Sequence, residues 1–243
     1  MRVPAHLMIG VSIALSGVPA GIGYRLETPP QAALAEVLED EQIGILEKLN
    51  RADRVHLGRL RRVVFPDQWV IDERAYSPMP MQYDSASALP KALVVVLDIQ
   101  AFGAYEHGRL SRWGPVSTGA RGSTTRVGRL SLNWKSSGRT STVNREWFMP
   151  WYFNVRNEEG VAFHAYALPG RPASHGCIRL LERDAIWLFH WGEEWTLDSE
   201  GRVRGPGTPV LITGRYDFDA PPPWIDVEAL AAPMPLPDFP VNP

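Results

Sequence analysis

Cys177 is the only cysteine of this 243-residue chain, and it sits in Ser174-His175-Gly176-Cys177-Ile178-Arg179-Leu180. His164 stands thirteen residues upstream, in Val161-Ala162-Phe163-His164-Ala165-Tyr166. A thiol is a strong nucleophile only as the thiolate, and a free cysteine with a pKa of about 8.5 is mostly protonated at neutral pH. An imidazole alongside can take that proton and later return it to a leaving group. Gly176 allows a tight backbone approach just before Cys177. The segment therefore supplies a nucleophile, two imidazoles and a turn carrying backbone N–H groups. A lone cysteine is most often a small buried hydrophobe, and a lone histidine a satisfied structural group. Zinc is a second alternative through His164, His175 and Cys177, but no Cys-x-x-Cys or His-Glu-x-x-His spacing is present, so no metal site is expected.

The combination resembles the active-site signature of the YkuD-type L,D-transpeptidases. In that family an upstream His is followed by Ser/Thr-His-Gly-Cys, an apolar residue, and Arg or Asn. The resemblance extends to Leu93–Gln100 with Ala104–Leu110 as an opening hairpin, to Pro115-Val116-Ser117-Thr118-Gly119, and to Met149-Pro150-Trp151. It covers residues from about 90 to 213, roughly half of the chain. The resemblance implies that Cys177 is the nucleophile, with His164 as general base and then general acid. The backbone amides of Gly176 and Cys177 would hold the oxyanion, and His175 would line the site near it. Ser174, Arg179, Tyr166 and Trp151 are the expected substrate-contacting residues: Ser174 to orient His175 or the turn, Arg179 to meet a substrate carboxylate or lock the turn, the aromatics to floor a groove. Trp187 is a further candidate for that floor, although aromatics near a core strand are more often just core. Two features depart from the family pattern. The gap from His164 to Ser174 is short, which trims a lid-like insertion, and Thr124-Thr125-Arg126-Val127-Gly128 replaces a Thr-Pro-Thr-Gly turn.

Positioning these groups requires strands. Short alternating or β-branched runs recur at 92–99, 102–106, 109–117, 127–134, 147–155 and 161–166, separated by turn signals such as His107-Gly108 and Ser136-Ser137-Gly138. Glu182 to Trp191 predicts a helix, and residues 207–213 a closing strand. The pattern predicts a mainly β sandwich or barrel over 91–214, and the family resemblance implies a β-sandwich with a helix after the Cys.

The flanks read differently. Met1-Arg2 and the apolar run Leu7–Val18, ending Val18-Pro19-Ala20, form a secretory signal peptide pattern over 1–20, with a retained anchor as the alternative. Cleavage there would take the charge from −2 to −3 (24 Lys+Arg against 27 Asp+Glu), a balance that argues against nucleic-acid binding. A single cysteine in an exported chain cannot pair internally, which favours a reactive thiol. Residues 31–62, within a segment 21–76, carry a helical apolar period starting near Thr28-Pro29. Leu46 to Val64 resembles the second half of a glycan-binding LysM module without its Gly-Asp-Thr-Leu opening; the alternative is an arm packed on the catalytic domain. Residues 77–90 are Ser-, Pro- and Ala-rich and read as a linker. In the tail, 215–243, proline dominates from Asp219 onward and predicts polyproline II or disorder.

The family resemblance implies no metal or organic cofactor, and a substrate, the stem tetrapeptide of peptidoglycan, cut with release of D-Ala. The acceptor would be a diaminopimelate amine, a D-amino acid or a wall-anchored lipoprotein, and carbapenems would acylate Cys177. The alternatives are a Cys-dependent hydrolase of wall peptides or lipoprotein links, and a non-catalytic peptidoglycan-binding module. Export, with the Ser-His-Gly-Cys-Ile-Arg form of the motif, points to the periplasm.

Overall fold

A computed structural model describes residues 21–29 and 34–240. The expected signal peptide, Met1–Ala20, lies outside the described residues. In the N-terminal segment, β1 (Tyr24–Glu27) is followed by α1 (Leu34–Val37), α2 (Asp40–Asn50), α3 (Arg54–Leu57) and β2 (Val63–Pro66). The helical period is right for α2, which opens on a capping box between Glu39 and Gln42 and closes on Arg51 in the left-handed conformation (φ 55°). It overreaches at the edges. β1 and β2 pair antiparallel, Tyr24 against Pro66 and Glu27 against Val63. Their partners lie about forty residues apart, so neither four-residue strand signals itself by local period.

Residues 77–90, expected as a linker, are packed in: Met79 and Ala86 are fully buried and Tyr83 nearly so. A Ser-Pro-Ala composition marks the loss of a repeating period, not the loss of burial.

The main sheet comprises β3 (Lys91–Val96), β4 (Ala101–Glu106), β5 (Arg109–Ser117), β6 (Gly128–Ser131), β7 (Lys135–Thr140), β8 (Phe148–Arg156), β9 (Val161–Ala165), β10 (Ile178–Leu180) and, after α4 (Glu182–Trp191) and the β11–β12 ribbon (Thr196–Leu197, Val203–Gly205), β13 (Pro209–Thr213). Its order is β6-β13-β3-β4-β5-β10-β9-β8-β7, and it curls until β6 approaches β8. The run Leu93-Val94-Val95-Val96 has no polar face, as a strand covered on both sides requires. Leu93, Val95 and Leu97 point inward to a core with Phe102, Val116, Phe163, Ile178, Leu180 and Leu188 of α4. Ala92, Val94 and Val96 point outward with Tyr105 and Trp113, and are covered by Ile45, Leu49, Val64, Met79 and Tyr83.

The proline-rich tail joins that outer layer. Phe239 is fully buried and T-packs on Tyr83, whose hydroxyl donates to the Pro237 carbonyl, and Phe239 N–H donates to Ser85 Oγ (2.9 Å). Proline forbids regular structure here but does not keep aromatic side chains out of a core.

Candidate active site

Strand alternation decides which side chains meet. β10 lies between β5 (antiparallel) and β9 (parallel), with Ile178 opposite Phe163 and Arg179 opposite His164. Phe163, Ala165, Ile178 and Leu180 all enter the inner core, so His164, Arg179 and Cys177 take the opposite face. There they line one cavity of ≈ 100 Å³ together with Tyr166, His175, Tyr152 and Trp147.

His164 is buried, and its Nδ1 lies 3.1 Å from the Ala165 carbonyl. A carbonyl only accepts, so Nδ1 carries the proton and Nε2 keeps its lone pair. Burial lowers the imidazole pKa to about 4; the Ala165 bond opposes this and the Arg179 charge adds to it. Burial also pushes the Cys177 thiol up, against the pull of the Ala162 N–H and of Arg179. At rest both groups are neutral: a protonated thiol, whose Sγ faces the Gly160 carbonyl at 3.8 Å, beside an unprotonated base.

The turn carrying Cys177 is braced from two directions. Gly176 adopts φ 109°, which β-carbon-bearing residues rarely take. Ser174 Oγ donates to the Cys177 carbonyl (2.6 Å) and accepts from Gly176 N–H (3.1 Å). From the strand side, Thr125 Oγ1 donates to the Gly176 carbonyl and accepts from Gly119 N–H, both at 2.9 Å. Ser174 N–H donates to Thr118 O, and Thr118 is itself fixed by buried Gln100 through Thr118 N–H to Oε1 (2.9 Å). Thr125 belongs to the Thr124–Gly128 turn, and its hydroxyl bonds the loop that carries Cys177 directly.

Several expected contacts are corrected by this geometry. The Gly176 N–H donates to Ser174 Oγ (3.1 Å), whereas the Cys177 N–H has no hydrogen-bond partner among the described residues. Ser174 lines the cavity but is only 2% exposed, and of its two expected roles its hydroxyl takes the one of holding the turn. Trp151 does not floor the cavity. It has φ 56° and T-packs on Phe189 of α4 (5.4 Å). Trp187 stacks on Trp191 (5.0 Å) and lies under Arg112, away from the site. Tyr166 does line the cavity. Arg179 stacks on its ring (4.6 Å) and donates to Ala167 O (3.4 Å), and no carboxylate pairs with Arg179 among the described residues.

His175 is exposed and its ring packs on Trp147 at 4.7 Å. Trp147 ends the 141–147 loop between β7 and β8; Ser141, Thr142, Val143 and Trp147 of that loop line the cavity, together with Arg139 of β7 and Glu159 of the β8–β9 turn. Sequence reasoning missed these residues; the one available signal was an aromatic at the foot of a polar hairpin. Among the described residues no cluster of His, Cys, Asp and Glu is placed to hold a metal ion.

No curated protein matches the chain. Among solved structures, an L,D-transpeptidase from Stackebrandtia nassauensis is 25% identical over 52% of this chain and 57% of its own, with a TM-score of 0.43. An L,D-transpeptidase from Xylanimonas cellulosilytica is 27% identical over 71% and 79%, with a TM-score of 0.48. One solved in complex with imipenem is 18% identical over 51% and 59%, with a TM-score of 0.41. The chain thus spans under three fifths of the first and third of these proteins. The model of the YkuD L,D-transpeptidase catalytic domain matches residues 90–212, half of the sequence and all of the cavity just described, and the chain belongs to that family.

Proposed function

We propose that the protein is a peptidoglycan L,D-transpeptidase working through a Cys177 thioester. The observation that carries this reading is a neutral His164, its Nε2 lone pair free, lining one cavity with the Cys177 thiol. His164 removes the thiol proton as sulfur attacks the carbonyl before the terminal D-Ala of a stem tetrapeptide. The C–N bond breaks, the imidazolium returns the proton to the departing amine, and D-Ala leaves. An acceptor amine then attacks the thioester, loses a proton to His164 and releases the thiolate, which is reprotonated. The Cys177 N–H stabilises the oxyanion of each tetrahedral intermediate. The carboxylate-free guanidinium of Arg179 suits a carboxylate of the stem peptide. The acceptor is a diaminopimelate side chain, a D-amino acid or a wall-anchored lipoprotein. The leader pattern of Met1–Ala20 supports export to the periplasm.

The test incubates the protein from Gly21 onward with purified tetrapeptide muropeptides, with Cys177→Ala as the blank, and reads products by mass spectrometry. Dimers formed with loss of D-Ala, absent from the blank, are the expected result. Tripeptide without dimer would replace transfer by hydrolysis. No turnover, together with no imipenem adduct on Cys177, would overturn the reading in favour of a binding module.

A further inference from the structure

The N-terminal segment lies outside the residues that define the family, yet it grips the loop joining His164 to Cys177. Residues 166–173 form that loop. Asp53 N–H donates to the Leu168 carbonyl (2.9 Å), and Leu168 N–H donates back to Asp53 Oδ2 (2.7 Å). Next to this two-point clasp, Ala52 bridges Pro169, and Gly170 N–H donates to the Arg51 carbonyl (3.1 Å). The fit is close: at Gly170 (φ 73°) a β-carbon would meet Leu60 at 3.2 Å and the Asn50 carbonyl at 3.5 Å.

The clasp is connected to the base by direct contacts. Leu168 follows Ala167, whose carbonyl accepts from Arg179. The Arg179 guanidinium stacks on Tyr166, and the Tyr166 ring T-packs on His164 (5.9 Å, 75°). Asp53 also caps α3, accepting from His56 N–H (3.0 Å), and His56 Nδ1 lies 2.9 Å from both carboxylate oxygens. One side chain thus fixes both the start of α3 and the catalytic loop.

We infer that Asp53 is a positioning residue for the His164–Cys177 pair: it clasps the 166–173 loop to the N-terminal arm and, through Ala167, Arg179 and Tyr166, sets how His164 presents to Cys177. The inference rests on the proposed roles of those two residues. It deepens them by making the arm part of the catalytic unit. Misplacing reacting groups by about 1 Å can cost as much as a hundredfold in rate, so a modest shift of the loop has a measurable consequence.

The test follows acylation of the full protein by imipenem, separating the maximal rate from the half-saturating concentration and both from the reactive fraction. Asp53→Ser keeps a helix-capping oxygen but cannot reach Leu168, so it removes the side-chain half of the clasp and spares the cap. It is expected to lower the maximal acylation rate by between about tenfold and a hundredfold, with half-saturation unchanged. Asp53→Asn offers one acceptor oxygen to the two N–H donors, His56 and Leu168, that now each meet their own, and its rate is expected to fall between those of Asp53→Ser and the wild type. A merely structural role would reduce the reactive fraction or the melting temperature and leave the rate of the folded protein alone. Wild-type acylation by Asp53→Ser, while His164→Ala is slow, overturns the inference and leaves the proposed function standing. A wild-type protein inert to imipenem removes the proposed function and this inference with it. Should Asp53→Ser not fold, Asp53→Glu, which keeps the charge but moves the oxygens by one methylene, is expected to slow acylation, and a wild-type rate from it is equally decisive.

Discussion

At the residue scale the controlling quantity is the protonation of His164. Its pKa falls from an ordinary 6.5 to about 4 because folding buries the ring. The unfolded chain therefore binds a proton between these values that the folded protein does not. Stability rises with pH across that window and is lost as pH falls from 6.5 toward 4, by about 3 kcal/mol in all. Denaturant unfolding at pH 7 and pH 4.5 should show the wild type losing roughly 2 to 3 kcal/mol more than His164→Gln, which has no such titration. Equal losses would mean the imidazole is not held neutral by burial. The same residue was readable in the sequence because His164 and Cys177 fall on short segments whose alternation sorts one face from the other. Other roles were hidden in geometry the sequence does not carry. The bond from the Gly176 N–H to Ser174 Oγ is one that the sequence does not announce. Trp151 looks like a groove floor until a left-handed backbone turns its ring onto Phe189.

At the element scale, what was legible was whatever has a strong local period. The helix predicted at Glu182–Trp191 is α4 with the same bounds, and the buried run beginning at residue 92 is β3. The missed strands are those without such a period. β7, Lys-Ser-Ser-Gly-Arg-Thr, is a polar edge strand, and β10 has only three residues, held by neighbours on both sides. Missing β7 also concealed the 141–147 loop, which lines the cavity through Ser141, Thr142, Val143 and Trp147. That loop covers the cavity chiefly through Trp147 on His175. An aromatic contact of this kind contributes about 0.5–1.5 kcal/mol, so Trp147→Ala should slow acylation by roughly two- to tenfold. Removing a ring that lines the cavity opens it to water, so on the proposed thioester route the variant should release more tripeptide relative to dimer, with a small change in melting temperature because Trp147 is only half-buried. An unchanged product ratio would remove the loop from water exclusion.

At the scale of the whole molecule, the catalytic sheet is incomplete without its flanks. The outward face of β3 to β5 shares a core with the N-terminal helices, the 77–90 segment and the tail. At its centre Arg51 is fully buried without a carboxylate partner among the described residues. Its guanidinium donates to the carbonyls of Ile99, Lys48 and Leu49, and lies over the rings of Trp113 (5.6 Å) and Trp224 (5.5 Å). A buried cation costs heavily unless its donors are satisfied and its charge is met by polarisable neighbours, and two indole faces, one from β5 and one from the tail, meet that need. Composition separates the proline-rich tail from the domain, but side-chain burial joins them. Trp224→Ala should therefore destabilise the protein by about 3–5 kcal/mol, as a core tryptophan does and not as a mobile tail residue would. A fragment of residues 90–213 would leave Ala92, Val94, Val96, Tyr105 and Trp113 bare, and should show no cooperative thermal transition by calorimetry. A sharp transition from that fragment would mean that the inner core alone specifies the fold, and that the arm and tail are later additions to a self-sufficient sheet.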